Sequence, residues 1–315
     1  MRSEYNIRKY TPDDAECWND FVRHSRQPLF LFDRGYMDYH SDRFTDCSLM
    51  VTDGHGRLVA LLPAECDGET VASHRGLTYG GLITPERHVY GNHVMEIMEA
   101  VCGWFRDNGF RWLRYKPVPH IYTAVPAEED LYVMFRMGAE VTGCHLSSAL
   151  SLRAPRLINE STRQAISATR ASGVRVSVSD DYATFWRMLE ERLMERHGVM
   201  PVHTLDEMLL LVSRFPENIR LYTAGRDHAG AGAVVYLAGR TAHVQYIATT
   251  EEGRRERMLP LLLDTIAEVY TGDYDYLDFG ASTTDSGRTL NEGLLMQKSG
   301  LGARGVVYPT YTITL

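Results

Sequence analysis

The stretches FRWLRYKP (110–117) and YDYLDFGA (274–281) stand 164 residues apart, and the same offset places Glu128 opposite Glu292, Leu131 opposite Leu295, and Gly138-Ala139 opposite Gly302-Ala303. One offset serving separate segments marks a duplicated unit, and a repeat constrains the fold more than any single motif. Upstream, PDDAECWNDF and SDDYATFWRM carry Trp18 and Trp186 at nearly the same separation, so the repeat spans most of each half. A chain of 315 residues that is 44% hydrophobic has apolar surface enough for two cores. The expected organisation is a first domain over 1–152, a linker over 153–165 where the apolar strand SSALSL gives way to RAPRLINESTRQA, and a second domain over 166–315.

Both halves show one order of elements. A helix pair opens each: 13–25 and 32–40, then 181–196 and 205–214, with apolar residues at helical spacing. Two strands around a turn follow, CSLMVTDGHGRLVALLPA and IRLYTAGRDHAGAGAVVYL, in which Asp53-Gly54 and the stretch from Gly230 to Gly232 are hairpin signals. A third strand, LTYGGLIT or AHVQYIATT, leads into an amphipathic helix, NHVMEIMEAVCGWFRD or MLPLLLDTIAEVY. A strand, a shorter helix and a terminal strand close each half. The strand-helix-strand unit gives a parallel pair and the hairpin an antiparallel part, which predicts an α+β fold with a mixed central sheet in each half.

Charge and cysteine usage narrow the function. A net charge of -8 argues against a globally basic nucleic-acid binder and against DNA as partner, while a local arginine groove survives in an acidic chain. Cys17, Cys47, Cys66, Cys102 and Cys144 are odd in number and scattered, without C-x-x-C, so neither a disulfide framework nor a zinc site is expected. MRSEYNIRKYTPDD has no apolar run after its charges, as a secretory signal would, and no stretch reaches membrane-spanning length. A cytoplasmic protein without bound metal is the expectation.

The element order resembles the GNAT acyltransferase fold, and the tandem pair, with DFG at 278–280 and GLLMQKSGLGA at 293–303, resembles the Fem-type aminoacyltransferases and their FemAB-like GNAT relatives. That group carries a lysine in a Gly-Leu-x-x-x-Lys-x-Gly-x-Gly-like helix end, which Lys298 matches; its aromatic before the lysine is Gln297 here, and the one before the last glycine is Leu301. The resemblance implies acyl or aminoacyl transfer to an amine acceptor such as a cell-envelope or sugar-nucleotide precursor. The donor is an acyl-CoA cosubstrate or aminoacyl-tRNA, with no tightly bound cofactor. A non-catalytic tandem binding module is the alternative from another class, since a fold alone does not establish chemistry.

Candidate residues cluster in the second half. At the repeat offset Lys298 stands opposite Met134, so a charge has replaced an apolar residue; an ammonium there can bind a donor anion or stabilise an oxyanion. Asn291 shares its helix face. On YDYLDFGAS, Tyr274, Tyr276 and Asp278 lie on one face and Leu277 and Phe279 on the other; Asp278 can accept a proton or orient an amine. On HVQYIATT strict alternation pairs His243 with Gln245 and sets Val244 and Tyr246 opposite, and His243 has the ring chemistry of a general base. In ERHGVMPVH, His197 and His203 bracket a turn, six apart and so not a helix-face metal pair; the resemblance to Fem-like proteins, which carry an Arg/Lys-His-Gly-like element here, implies an acceptor-side role. Arg163 and Arg170 share a helical face that can meet a phosphate. Acetyl-CoA enzymes of this fold cradle pyrophosphate on a Q/R-x-x-G-x-G/A loop; the corresponding EEGRRERMLP offers only Gly253, with Arg254 and Arg255 to counter phosphate charge. In the first half HRGLTYGGLI (74–83), with Tyr79, is read as a glycine-permitted approach of backbone to ligand.

Overall fold

A computed structural model of the protein describes residues 5–315, the side chain of His197 excepted. The chain divides into two compact units: unit 1 holds residues through His145, Thr284–Thr289 and Val307–Leu315, and unit 2 holds Leu146–Thr283 and Leu290–Val306.

Unit 1 begins with β1 (Asn6–Lys9), α1 (Ala15–Arg23) and α2 (Arg34–Met37). Then come β2 (Thr45–Asp46), β3 (Leu49–Thr52), β4 (Leu58–Leu62), β5 (Glu65–Asp67) and β6 (Thr70–Ala72). α3 (Gly91–Asp107), β7 (Trp112–Tyr115), α4 (Glu129–Arg136) and the start of β8 (Glu140–Ser151) complete it. β1, β3 and β4 form an antiparallel sheet. β2, β5, β6 and β7 form a second, in which only β6 and β7 run parallel. Along α3, Val94, Ile97, Met98, Val101, Cys102 and Phe105 recur at three- and four-residue steps, and this buried stripe packs with Val71, Leu113 and Tyr115 of the sheet. The expected third strand, 77–84, does not form; β5 and β6 take its place. Gly81 sits at a φ of +90°, which breaks an extended run, and 77–84 keeps a single bridge, Leu61 to Ile83.

Unit 2 contains α5 (Glu160–Ala171), β9 (Arg175–Ser179), α6 (Tyr182–His197), α7 (Leu205–Arg214), β10 (Ile219–Gly225), β11 (Ala229–Ala238) and β12 (Thr241–Thr249). These are followed by α8 (Glu251–Arg255), α9 (Met258–Tyr270), β13 (Tyr276–Ala281), the short β14 (Thr283–Thr284) and β15 (Thr289–Leu290), α10 (Glu292–Gly300) and β16 (Arg304–Thr314). Its sheet runs β8-β13-β12-β11-β10-β9 and is antiparallel except for the β12–β13 pair. α9 is buried through Leu261, Leu262, Leu263, Ile266 and Ala267 against Ala233, Val235, Val244 and Leu277.

Two expected boundaries shift. Residues 153–165 are no linker, because they lie inside unit 2 and α5 begins among them, its Asn159 side chain accepting the Thr162 amide at 2.8 Å. The second unit does not run to 315 either: Val307–Leu315 belong to unit 1, where Tyr311–Thr314 pair with β7. Local pattern sets a strand's existence, while its partner is set by long-range register.

Candidate active site in unit 2

β12 and β13 pair over only three positions, Thr241–His243 with Tyr276–Asp278. β12 also carries a bulge. Val234 of β11 faces Tyr246 and Val235 faces Val244, which leaves Gln245 as the extra residue. The bulge corrects the expected alternation: Tyr246 lies on the His243 side, where it meets Trp186 and His203 of the α6 face, while Val244 stays in the α9 core.

His243 and Asp278 stand side by side in register. His243 Nδ1 lies 2.9 Å from Asp278 Oδ2, and Asp278 Oδ1 accepts from Ser147 Oγ at 2.6 Å and from the Gly280 amide at 3.1 Å. Asp278 is fully buried, so its charge depends on these donors. A carboxylate only accepts, so the His243 nitrogen that faces it, Nδ1, is the one that donates. Next to the pair the chain turns at Gly280, φ +74°, where a Cβ would come within 3.7 Å of His243 Cε1.

Lys298 closes the same turn from α10. It is 5% exposed, and its Nζ donates to Gly280 O at 2.7 Å and Ala281 O at 2.9 Å, leaving one of three donors for another acceptor. Burial lowers its pKa to about 8, opposed by the Asp278 charge. Lys298 therefore belongs both to the Asp278 neighbourhood and to the wall of a cavity of about 510 Å³. Leu263 of α9, Phe279 of β13 and Leu294 of α10 supply that cavity's apolar wall, and Arg192, Arg196, Arg254 and Arg257 its cationic one. Desolvation, then the charges of Arg254 and Arg196, hold Arg192 below its usual value. Guanidinium groups crowded this way favour an anionic ligand.

Other expected site residues have different places. Gly253 lines the cavity, but a Cβ there would lie 1.9 Å from Gly230 O, and its amide is capped by Thr250 Oγ1 at 3.0 Å. Its missing side chain serves helix-strand packing. Gly253→Ala is accordingly expected to destabilise the fold by about 1–3 kcal/mol, the usual cost of overpacking, read as a lower thermal midpoint. Arg255 lines a separate shallow depression with Gln164 and Arg226, away from Arg254. Asn291 caps α10, accepting the Leu294 amide at 3.0 Å. His203 is buried and shares a short hydrogen bond with Tyr246, whose hydroxyl burial pushes up to about 12. His197 ends α6, and its side chain lies outside the described residues. Arg163 donates to Ile158 O, and Arg170 is matched by Asp264 and Glu268 of α9, so the two form no phosphate site. Tyr79 is 2% exposed and packed on Tyr122 in unit 1, and Gly76 and Gly80 make room for His40 and Ser73, so the close approach in 74–83 is to the protein itself.

Sequence reading missed Ser147, Arg192, Arg196 and Arg257. Arg192 and Arg196 lie four apart on one helix face, a signal that was available. Ser147 reaches Asp278 from 131 residues away, which only the β8–β13 register shows. Among the described residues no group of three or more His, Cys, Asp or Glu is placed to hold a metal ion, and no helix is long and apolar enough to cross a membrane.

Residues 157–286 match the acetyltransferase (GNAT) domain family, so unit 2 carries a GNAT-type acyltransferase domain. Nearly the whole chain shares its fold with solved structures of low sequence identity. FemX matches with a TM-score of 0.69 at 10% identity, over 98% of this chain and 97% of FemX. The C-terminal domain of a putative lysylphosphatidylglycerol synthetase from Agrobacterium fabrum matches with a TM-score of 0.62 at 13% identity, over 96% and 92%. A tandem GNAT protein from the clavulanic acid biosynthesis pathway matches with a TM-score of 0.52 at 14% identity, over 99% and 98%. No curated protein matches the sequence.

Proposed function

We propose that the protein is an N-acyltransferase whose unit 2 cavity seats the phosphate-bearing part of an acyl or aminoacyl donor, with the donor carbonyl at Lys298 and an amine as acceptor. The observation that carries this reading is one cavity lined by four arginines and by a buried ammonium. The arginines suit the donor's phosphates, and the remaining Lys298 donor suits the oxygen that becomes negative as the amine adds to the carbonyl. His243, held by Asp278, takes the proton that the attacking amine loses, and the carrier thiolate or alkoxide leaves with a proton as the amide forms. Neither His243 nor Asp278 lines the cavity, so the acceptor approaches on their side of the sheet, where β12 and β13 part beyond their three pairs. Unit 1 serves as scaffold or acceptor-binding domain.

Both donor classes are kept in this reading; among the similar structures one is a tandem GNAT protein described without AcCoA and another the C-terminal domain of a putative lysylphosphatidylglycerol synthetase. One observation favours aminoacyl-tRNA over acyl-CoA. The Gly253 amide is capped internally and Pro260 removes an amide from the first turn of α9, so phosphate contact falls to side chains rather than a backbone cradle. The test is a donor panel of acetyl-CoA, longer acyl-CoAs and aminoacyl-tRNA, each with a panel of amines and amino sugars. Amide product by mass spectrometry from one donor class, with a raised thermal midpoint for that donor, supports the reading. A chain that neither binds nor consumes any of them is no acyltransferase of this kind.

A further inference from the structure

We propose that a cavity of about 270 Å³ in unit 1 binds a phosphoryl group through Arg114 and Lys116, as a second anion site distinct from the cavity of unit 2. The repeat makes the comparison direct. In unit 2 the parallel pair brings His243 beside Asp278; in unit 1 the β6–β7 pair brings Ala72 beside Arg114. Arg114 stands at the repeat offset from Asp278, and Lys116 at the offset from Gly280. The carboxylate-imidazole station has thus become a cationic one, with an alanine where an imidazole would stand.

The surroundings leave that charge available. Among the described residues no carboxylate lines this cavity, and neither Arg114 nor Lys116 makes an ion pair. Arg75, also on the wall, is already matched by Glu65 and Asp67. Burial depresses the Lys116 ammonium. Burial and the His40 charge lower His74 to about 4, which leaves that ring a neutral hydrogen-bonding wall. Ser286 and Thr310 add hydroxyls. Two unmatched cations fit the two charges of a phosphate monoester or a diphosphate better than the single charge of a carboxylate. The volume suits the anion and the group bonded to it. This site stands apart from the donor reading of unit 2 and survives its failure.

The test is calorimetric titration of inorganic pyrophosphate into the full chain carrying Arg192→Ala and Arg254→Ala, so that anion binding in the unit 2 cavity is weakened. Saturable binding of one equivalent is expected, weakened at least about tenfold by adding Lys116→Met and Arg114→Gln, since a charge-assisted hydrogen bond contributes this much or more. Absence of saturable binding on that background, or equal binding by the quadruple variant, overturns the site. Arg114 is exposed, so Arg114→Gln alone keeps the test decisive if Lys116→Met does not fold: it must weaken binding, and unchanged binding overturns the site. Parallel titrations with uridine diphosphate and with vesicles containing phosphatidic acid, a lipid phosphomonoester, separate a soluble nucleotide from a lipid headgroup. Acetate binding as tightly as pyrophosphate overturns the phosphoryl assignment.

Discussion

Lys298→Met is expected to lower kcat by about 10²–10³-fold, the usual cost of removing one group aimed at a developing oxyanion, with donor affinity nearly unchanged. Methionine keeps much of the apolar stem, and unit 1 buries Met134 at the repeat position. The two carbonyls that lose Nζ belong to Gly280 and Ala281, which are only partly covered, so water can replace the ammonium and the thermal midpoint should move little. Titration gives a second reading. Burial lowers the Lys298 pKa from 10.5 to about 8, so between those values the unfolded chain holds the proton that the folded chain has lost. This group's contribution to stability therefore rises with pH from about 8 to 10.5, and its full penalty remains below that window. Turnover should move the opposite way, falling as pH rises through about 8, because the neutral amine cannot stabilise an oxyanion. Both trends should vanish in Lys298→Met. Stability and rate curves measured on the two proteins decide it, and a kcat that does not change on substitution removes Lys298 from the reaction.

Asp278→Asn should affect both fold and rate. The wild-type carboxylate accepts from Ser147 Oγ, His243 Nδ1 and the Gly280 amide, and asparagine must turn an NH₂ toward at least one of those donors. Hydrogen bonds to a buried charge contribute about 1.5–3 kcal/mol, so a clear fall in midpoint is expected. The tautomer also changes: with an amide as partner, His243 no longer keeps its proton on Nδ1, and loss of the general base in this way costs up to about 10⁴-fold in rate. Ser147→Ala is the control, since it removes one donor without touching the ring. Its midpoint should fall while kcat changes far less. Equal rate losses in the two variants would assign Asp278 to packing alone.

Much of the architecture is legible in the sequence because it is written in local pattern. The apolar spacing of 205–214 and 258–270 gives α7 and α9 with the same limits as the structure, and the 164-residue offset separates the two copies. Elements that depend on distant register are not legible. Nothing near Ile313 announces that it pairs with Leu113, and nothing around Ser147 announces Asp278. The bulge at Gln245 is hidden for the same reason, since an extra residue shows only against the partner strand. For the site, residue type and family resemblance point to Lys298, Asp278 and His243, and the structure brings these three together around Gly280. Residues picked for charge alone fare worse: Arg170 carries the right charge, but carboxylates on α9 already match it.

The most direct measurement is the dissociation constant of the productive donor, at low and at moderate salt, for the wild type and for Arg192→Ala/Arg254→Ala. A donor seated on the four arginines should bind the double variant at least about tenfold more weakly at low salt, because two charge-assisted contacts are lost. Its affinity should also fall less steeply as salt is added. Equal affinity of the two proteins at low salt would place the donor's phosphates elsewhere and contradict the assignment of the unit 2 cavity.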